Sequence, residues 1–586
     1  MKKIFNLLML CLGIFALASC GKDDVDNGGN SPTPSDVAIS YKSCNDEVRI
    51  SSIESTLDIE FTATAAWSAK SSNVAWLSIE QGKSGKKGTN QMRLRYKANK
   101  TSSEREGTIT VSVEGFEPVI LVTLTQGVAG DHADFDVNAS KTDQILSKYY
   151  LWNDEYNELM RDYAQDYRSF LSNTLLSMTT NEDDGGREAD GSRYLYSYII
   201  RSTTGRAPVA KSAEDSFGIN SLIIVSLTNS NGSASGKYAF AVRAVHPDSP
   251  ADEAGLRRGD MITKVNGKDI TSSNYTDFYY DLLIPSAGNQ ITVKTMNGTE
   301  SISMTAKRIY INPILHSEVV TAGASKIGYL VYSQFEASFD NELLAVLRNF
   351  KNEGINELIL DFRLNGGGHV MTSQMISSIV AGTKGDDKIY QKYRYNDTRM
   401  AEMNLSFPDR TKVEKFGPEH GGSDYSRSDY LSLERVFFLV TNNTASSSEF
   451  TFHALRGIDF PVTLIGERTE GKNVGMEPQS FQYGDYYYEF LPITFQGYNA
   501  KNDSPNPNGT EPDYHAEDWD PSMGLHDWGD TSDALYGKAL EIITGSRVAT
   551  NEVAPREVKF RLEHYMPKPS IGAIARNAEE LPTCGE

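Results

Sequence analysis

The spacing of apolar residues changes character several times along this chain of 586 residues, and that feature rules out one continuous core. Strands bury every second residue and helices one residue in about 3.6, so each change of period marks a change of packing unit. The length points the same way, because single cores stop growing well below it. Residues 57–61, 91–96, 108–113 and 119–124 form short β-type runs separated by turn residues, which predicts a β-sandwich over residues 37–127. Residues 128–212 switch to helical spacing through Ile145, Leu146, Tyr149, Tyr150 and Trp152, then Tyr167, Phe170, Leu171, Leu175 and Leu176. An acidic, glycine-rich loop at residues 181–191 interrupts this small helical unit. Residues 213–309 are β-rich again, and residues 310–545 alternate strand and helix patterns, the signature of a layered α/β domain of ββα/βαβ type. Residues 546–586 are assigned as a C-terminal tail.

The N-terminus is built differently. Lys2 and Lys3 precede an apolar stretch at residues 4–18 that ends in Leu17-Ala18-Ser19-Cys20, and this end resembles a bacterial lipobox. The resemblance implies a secretion signal over residues 1–19 and lipid attachment at the Cys20 thiol; the other reading is an ordinary signal peptide with a chance cysteine. Residues 20–36 are rich in Gly, Ser and Pro and read as a flexible tether. Their acidic start, Asp23-Asp24, resembles the surface-export signal of Bacteroidetes lipoproteins, although a solvated linker has the same composition. The expected location is therefore extracytoplasmic, lipid-anchored to the outer membrane and open to surface display. No later apolar run is long enough to span a bilayer. Of the four cysteines, Cys11 leaves with the signal and Cys20 takes lipid, so Cys44 and Cys584 are left as one disulfide or two thiols. A formal charge of −21 repels phosphate backbones and argues against a nucleic-acid partner.

Within the sandwich region, Trp67, Trp76-Leu77, Asn99, Arg105-Glu106-Gly107 and Thr125-Gln126 look like the BACON domain, an immunoglobulin-like module. That family is linked to carbohydrate, so a glycan partner is one implication, while core packing is the first reading of two sandwich tryptophans. In the next β-rich region, His246-Pro247-Asp248-Ser249-Pro250 leads through Ala254-Gly255-Leu256 and Gly259-Asp260-Met261-Ile262 to Asn266-Gly267. This order resembles a PDZ domain of the bacterial protease type. PDZ domains add a peptide as an extra strand and hold its carboxylate on backbone N–H groups; Phe217, Gly218 and Ile219 stand where that loop would lie. A β-module without a ligand is the alternative.

Three turns in the last third carry candidate chemistry. A buried-type strand at residues 357–362 runs into Arg363-Leu364-Asn365-Gly366-Gly367-Gly368 and a helix; such a turn can face an anion or a developing oxyanion, or can simply pack tightly. A second strand at residues 436–441 is followed by Asn442-Asn443-Thr444-Ala445-Ser446-Ser447-Ser448-Glu449 at a helix start. Taken alone, that serine cluster reads first as a helix cap. A third strand at residues 462–466 leads to Thr469-Glu470-Gly471-Lys472. Taken alone, Lys472 reads as a surface lysine, but a buried lysine loses its proton more easily and can act as a base.

Together these segments resemble the carboxyl-terminal processing peptidases, or tail-specific serine proteases, over residues 135–545, including the late Gly509-Thr510-Glu511-Pro512-Asp513. The resemblance implies Ser446 as nucleophile, Lys472 as base, Ser448 as a helix cap, and an oxyanion hole from Ser447 with Gly366 or Gly367. It also implies a protein or peptide substrate. Many members carry a glutamine four residues after the lysine; here Met476 stands there, which leaves the lysine's orienting partner unassigned. The competing reading is a surface lipoprotein of impaired activity that binds peptide or glycan. A Ser–His arrangement using His369 or His453 is a third. No metal-ligand or nucleotide motif occurs, so no cofactor is implied.

Overall fold

A computed structural model describes residues 39–40, 47–50, 55–72, 74–99, 104–127, 136–159, 163, 165–187, 191–202, 213–229, 233–405, 411–420, 424–483, 486–520, 524–546 and 560–564. The signal, Cys20, the tether, Cys44 and Cys584 lie outside these residues. The chain divides into two compact units, residues 1–130 and 131–586.

The first unit is a two-sheet sandwich. One sheet has the order Ile39–Ser40, Ser55–Ala63, Gly88–Tyr96, Leu77–Gln81, and the other Glu47–Ile50, Val119–Gln126, Arg105–Val113, Trp67–Ser71, Ser84–Gly85. Alternation drives it: along Arg105–Val113 every second residue from Gly107 on is buried. Trp67 and Trp76 are core residues, 5% and 9% exposed. Phe61 meets Trp67 edge-on at 4.7 Å, and Arg105 covers Trp76 at 4.6 Å. Neither ring is free to serve as a sugar-stacking platform.

In the second unit the lead-in is not a separate helical body. Helices Val137–Tyr149, Asn153–Glu158 and Tyr167–Leu176 share one core with Val474, Tyr488, Phe490 and Ile493. Strand Tyr198–Ser202 pairs with Tyr486–Leu491, so the lead-in is completed by chain almost three hundred residues downstream.

The next region is a seven-stranded sheet. Its strand β1, Ile219–Thr228, pairs with β2, Ala234–Val245. A helix, α1, Tyr275–Leu283, buries Phe278, Tyr279 and Leu282 in one core with Leu222 and Ile224 of β1.

The α/β region is a six-stranded sheet that is parallel from Ser325–Tyr332 onward, through β3 (Glu357–Asp361), β4 (Val436–Val440), β5 (Val462–Gly466) and Tyr514–His515. Helices Asp340–Glu353, α2 (Val370–Ala381) and α3 (Ser447–Gly457) cover one face. Helix Ala534–Thr544 covers the other. Both faces are buried, which is why β4 is apolar at every position. The 560–564 segment of the assigned tail forms a strand, β6 (Phe560–His564), at the edge of the seven-stranded sheet, paired with β1.

Candidate active site

The C-terminal ends of β3, β4 and β5 gather three loops at one place. After β3, Asn365 ties the first two together. Its Nδ2 donates to Tyr332 O, its Oδ1 accepts Gly367 N–H at 2.9 Å, and its carbonyl accepts from Ser448 Oγ and Ala445 N–H. Thr441 Oγ1 donates to Arg363 O and Thr444 Oγ1 to Phe362 O. A Cβ at Gly367, where φ is +105°, would lie 2.8 Å from Ser446 Cβ and 3.1 Å from Ser447 N. The glycine is what lets the two turns touch.

The three serines do different work. Ser447 Oγ donates to Gly368 O at 2.7 Å, and both Ser447 and Ser448 are buried. Ser448 does not cap α3, as the motif suggested; its hydroxyl is spent across the gap on Asn365 O at 3.0 Å, because it already lies inside the first turn. Ser446 is partly exposed and sits at φ 56°, ψ −120°. An ordinary N-cap is extended, as Ser249 is at φ −89°, ψ 163°. Ser446 is therefore held in a glycine-type conformation that costs on the order of 1–3 kcal/mol, a form of strain concentrated at functional sites.

The third loop brings Lys472. Gly471, at φ +93°, packs where a Cβ would meet Gly509 N at 2.4 Å and Pro507 O at 2.5 Å. Thr469 N–H donates to Thr510 O, and Thr510 N–H to Thr469 Oγ1. Glu470 N–H donates to Thr444 O at 3.0 Å, docking this loop on the one that bears Ser446.

Glu449 joins everything. Its Oε1 accepts from Thr469 Oγ1 at 2.6 Å and Gly471 N–H at 3.0 Å, and its Oε2 accepts from Ser446 N–H and Lys472 N–H. Burial pushes the Glu449 carboxyl up to about 7, with these hydrogen bonds opposing the rise. The serine-to-glutamate spacing of a capping box was visible in the sequence; the carboxylate's reach to the lysine loop was not.

Lys472 is 6% exposed. Its Nζ lies 4.7 Å from the centre of the Tyr196 ring. Burial lowers its pKa to about 8, against the pull of Asp184, Glu470 and Glu449. Tyr196 O–H donates to Glu470 Oε1 at 3.2 Å, and Tyr194 O–H donates to the same oxygen. Asp184 accepts from Tyr150, Ser197 and the backbone of Tyr196 and Ser197. None of Tyr194, Tyr196 and Asp184 was singled out from the sequence, since no local pattern marks them. Met476 is packed against the lead-in aromatic core, so the lysine's surroundings come from the lead-in rather than from that position.

His453 is engaged with Thr510 Oγ1 at 3.2 Å, and burial, then Arg456, lowers it to about 4. His369 is exposed at the start of α2 and gives its backbone N–H to Phe335. Among the described residues Asp387, Glu419 and His420 bring ligand atoms within 4.8 Å of one another, but Glu419 Oε1 already accepts from Arg427 at 2.6 Å.

Behind β3 lies a buried ion cluster. Arg363 bonds Asp361 at 2.7 Å and Asp518 and Asp533 at 2.6 Å each. Arg258, from the β-rich region, bonds the same Asp518 at 2.5 Å. Burial pushes the Asp518 carboxyl up, but Arg258 and Arg363 outweigh it and hold it well below the usual range. Next to Arg258, a Cβ at Gly259 would lie 2.5 Å from Leu525 O, so this turn seats directly on the core.

The predicted peptide loop opens β1. Gly218 has φ +86° and donates its N–H to Ser216 Oγ at 2.9 Å. Phe217 O and Gly218 O accept from Ala251 and His246, and Ile219 pairs with Val245.

Residues 326–516 match the model of Peptidase family S41. The α/β core is thus similar to that family over most of its length. Residues 241–294 of the chain match a PDZ domain and residues 40–128 a viral BACON domain. The chain is 25% identical over 285 residues to carboxyl-terminal-processing peptidase 1, chloroplastic, of Arabidopsis thaliana, covering 48% of this chain and 52% of that protein. It is 24% identical over 303 residues to the carboxyl-terminal-processing protease of Synechocystis sp., covering 51% and 63%. The matches thus span between half and two thirds of these relatives. A crystal structure from Bacteroides fragilis described as an S41 protease superposes with a TM-score of 0.55 at 22% identity, over 69% of this chain and 97% of that one. That likeness supports the S41 fold.

Proposed function

We propose that the protein is a serine endopeptidase in which Ser446 is the nucleophile and Lys472 the general base. The observation that carries this reading is a lysine 6% exposed whose backbone shares a carboxylate oxygen with that of a strained, partly exposed serine. The neutral Lys472 amine takes the proton from Ser446 Oγ as the oxygen attacks the substrate carbonyl. Ser447 N–H and an amide of the Gly366 turn stabilise the oxyanion. Gly367 N–H is given to Asn365 Oδ1, which makes it a positioning element rather than a donor. The tetrahedral intermediate collapses to an acyl-serine as the ammonium returns its proton to the leaving amine, and water, deprotonated by the same amine, releases the product.

The substrate is a protein or peptide whose tail adds to the PDZ domain. The N-terminal sequence supports a lipid anchor at Cys20 and an outer-membrane location. Denatured casein incubated with wild type, Ser446→Ala and Lys472→Ala tests the chemistry. Fragments should form with wild type alone, and equal cleavage by either variant refutes the assignment.

A further inference from the structure

A PDZ domain receives its ligand on the free edge of the strand that follows its carboxylate loop. In this chain that strand is β1, which begins at Ile219 directly after Phe217 and Gly218. One edge of β1 pairs with β2 along the strand. The other edge is occupied: β6 pairs with it antiparallel, with Ile224 opposite His564, Val225 opposite Leu562, Ser226 opposite Arg561 and Leu227 opposite Phe560. From this register we infer that residues 560–564 are an intramolecular ligand of the PDZ domain, seated on the edge that an incoming peptide tail must use.

Three features of the backbone support an occupant rather than a permanent seventh strand. The polarity is that of a bound tail, because the antiparallel register sends the C-terminal end of β6 toward the carboxylate loop. The pairing covers only Ile224–Leu227 at the far end of β1 and is broken by a register shift between Ile224 and Val225. Among the described residues, the stretch 219–223 nearest the loop pairs with β2 alone. The sequence Phe560-Arg561-Leu562-Glu563-His564 also alternates apolar and polar residues, as an edge strand or an extended ligand does.

Thirteen residues separate Ser546, just past helix Ala534–Thr544, from Phe560, so β6 acts at the effective concentration of a short tether. For a separation this short the effective concentration is on the order of millimolar. A segment with an intrinsic dissociation constant of about 0.1 mM would then weaken a competing tail roughly tenfold. A tail must therefore displace β6 over residues 224–227 before it can lie along the whole strand. This inference rests on the reading that the PDZ domain takes peptide tails, and its test separates the two.

The test compares the full chain, a chain ending at residue 556, and the full chain carrying Leu562→Pro, which puts a residue disfavoured in strands opposite Val225 without shortening the protein. Amides of residues 224–227 should exchange with deuterium at least about tenfold faster in both variants than in wild type. A synthetic peptide of residues 557–567 should bind the shortened chain and not wild type. A fluorescent decapeptide with an apolar, free C-terminus should bind both variants about tenfold more tightly than wild type. Unchanged exchange in both variants, or equal binding of the 557–567 peptide to wild type and shortened chain, overturns the inference. If the 557–567 peptide binds the shortened chain alone but the decapeptide binds none, the intramolecular strand stands and the reading of the module as a receptor for foreign tails falls.

Discussion

Ser446 and Lys472 give their backbone N–H groups to one oxygen, Glu449 Oε2, at 3.1 and 2.8 Å. The shared acceptor places the two backbone nitrogens within roughly 6 Å of each other, although the residues lie on loops after different strands. A single carboxylate thus sets the separation of the residues proposed as nucleophile and base.

Removing that carboxylate should loosen both loops at once. Glu449→Ala leaves the Ser446, Gly471 and Lys472 N–H groups and the Thr469 hydroxyl without their acceptor, at about 1–3 kcal/mol for each donor that finds no other. We expect kcat to fall at least ~100-fold with a smaller change in KM. Glu449→Gln, which keeps one acceptor oxygen, should fall between the two. Peptide-cleavage kinetics beside thermal unfolding would show it, and wild-type kcat in Glu449→Ala would refute the hub role.

Lys472 should impose a rising pH limb. The proposed mechanism needs the neutral amine, and burial lowers its pKa to about 8, so kcat/KM should climb up to that pH and level off above it. The same depression opposes folding while the group is charged. Relative to its unfolded value of 10.5 the folded state binds its proton more weakly, so stability should rise as pH goes from about 8 to 10.5. Lys472→Met should abolish cleavage yet raise stability at neutral pH, by on the order of 2–3 kcal/mol. A rate profile with no inflection between pH 6 and about 9 would contradict this.

Gly367→Ala should act through contact rather than charge. Its Cβ would fall 2.8 Å from Ser446 Cβ at φ +105°, so the Ser446 turn must move. We expect a loss of ~100-fold or more in kcat/KM, with circular dichroism little changed. An alanine variant of wild-type rate would show that the close approach is not needed.

Arg258→Met should destabilise far from the serine. It takes from Asp518 one of the two arginines bonded to it and from Asp533 a second cation at 3.9 Å. Breaking a buried pair in this way costs about 3–5 kcal/mol. Urea unfolding of the residue 131–586 unit within the full chain should shift accordingly, and an unchanged midpoint would show that the ion pair is dispensable.

Much of the S41 core was legible because its strands are buried on both faces. The runs at 357–362, 436–441 and 462–466 appear in the structure as β3, β4 and β5, the first two ending one residue earlier, at Asp361 and Val440, since a short run that is mostly apolar has few fates other than a buried strand. The loop order, strand then turn then helix, placed Ser446 and the Gly366 turn at one edge. What pattern could not supply were partners brought in from a distance. Tyr196 faces Lys472 across 276 positions, and Arg258 meets Asp518 across 260. Neither pair has a periodicity. The strand at 560–564 was missed for a related reason: its five residues carry too little pattern to stand out, and only the exposed edge of β1 makes them a strand. Ser448 was misread because a hydroxyl in the first turn of a helix can reach across to Asn365 as easily as back to its own backbone.

The pairing of Tyr198–Ser202 with Tyr486–Leu491 also sets a schedule for biosynthesis. The aromatic wall around Lys472 includes Tyr196 from the lead-in, and that lead-in cannot close its sheet until residue 491 has been made. A nascent chain therefore carries both Ser446 and Lys472 before the surround of that amine is finished, and the ribosome handles a precursor whose site is incomplete.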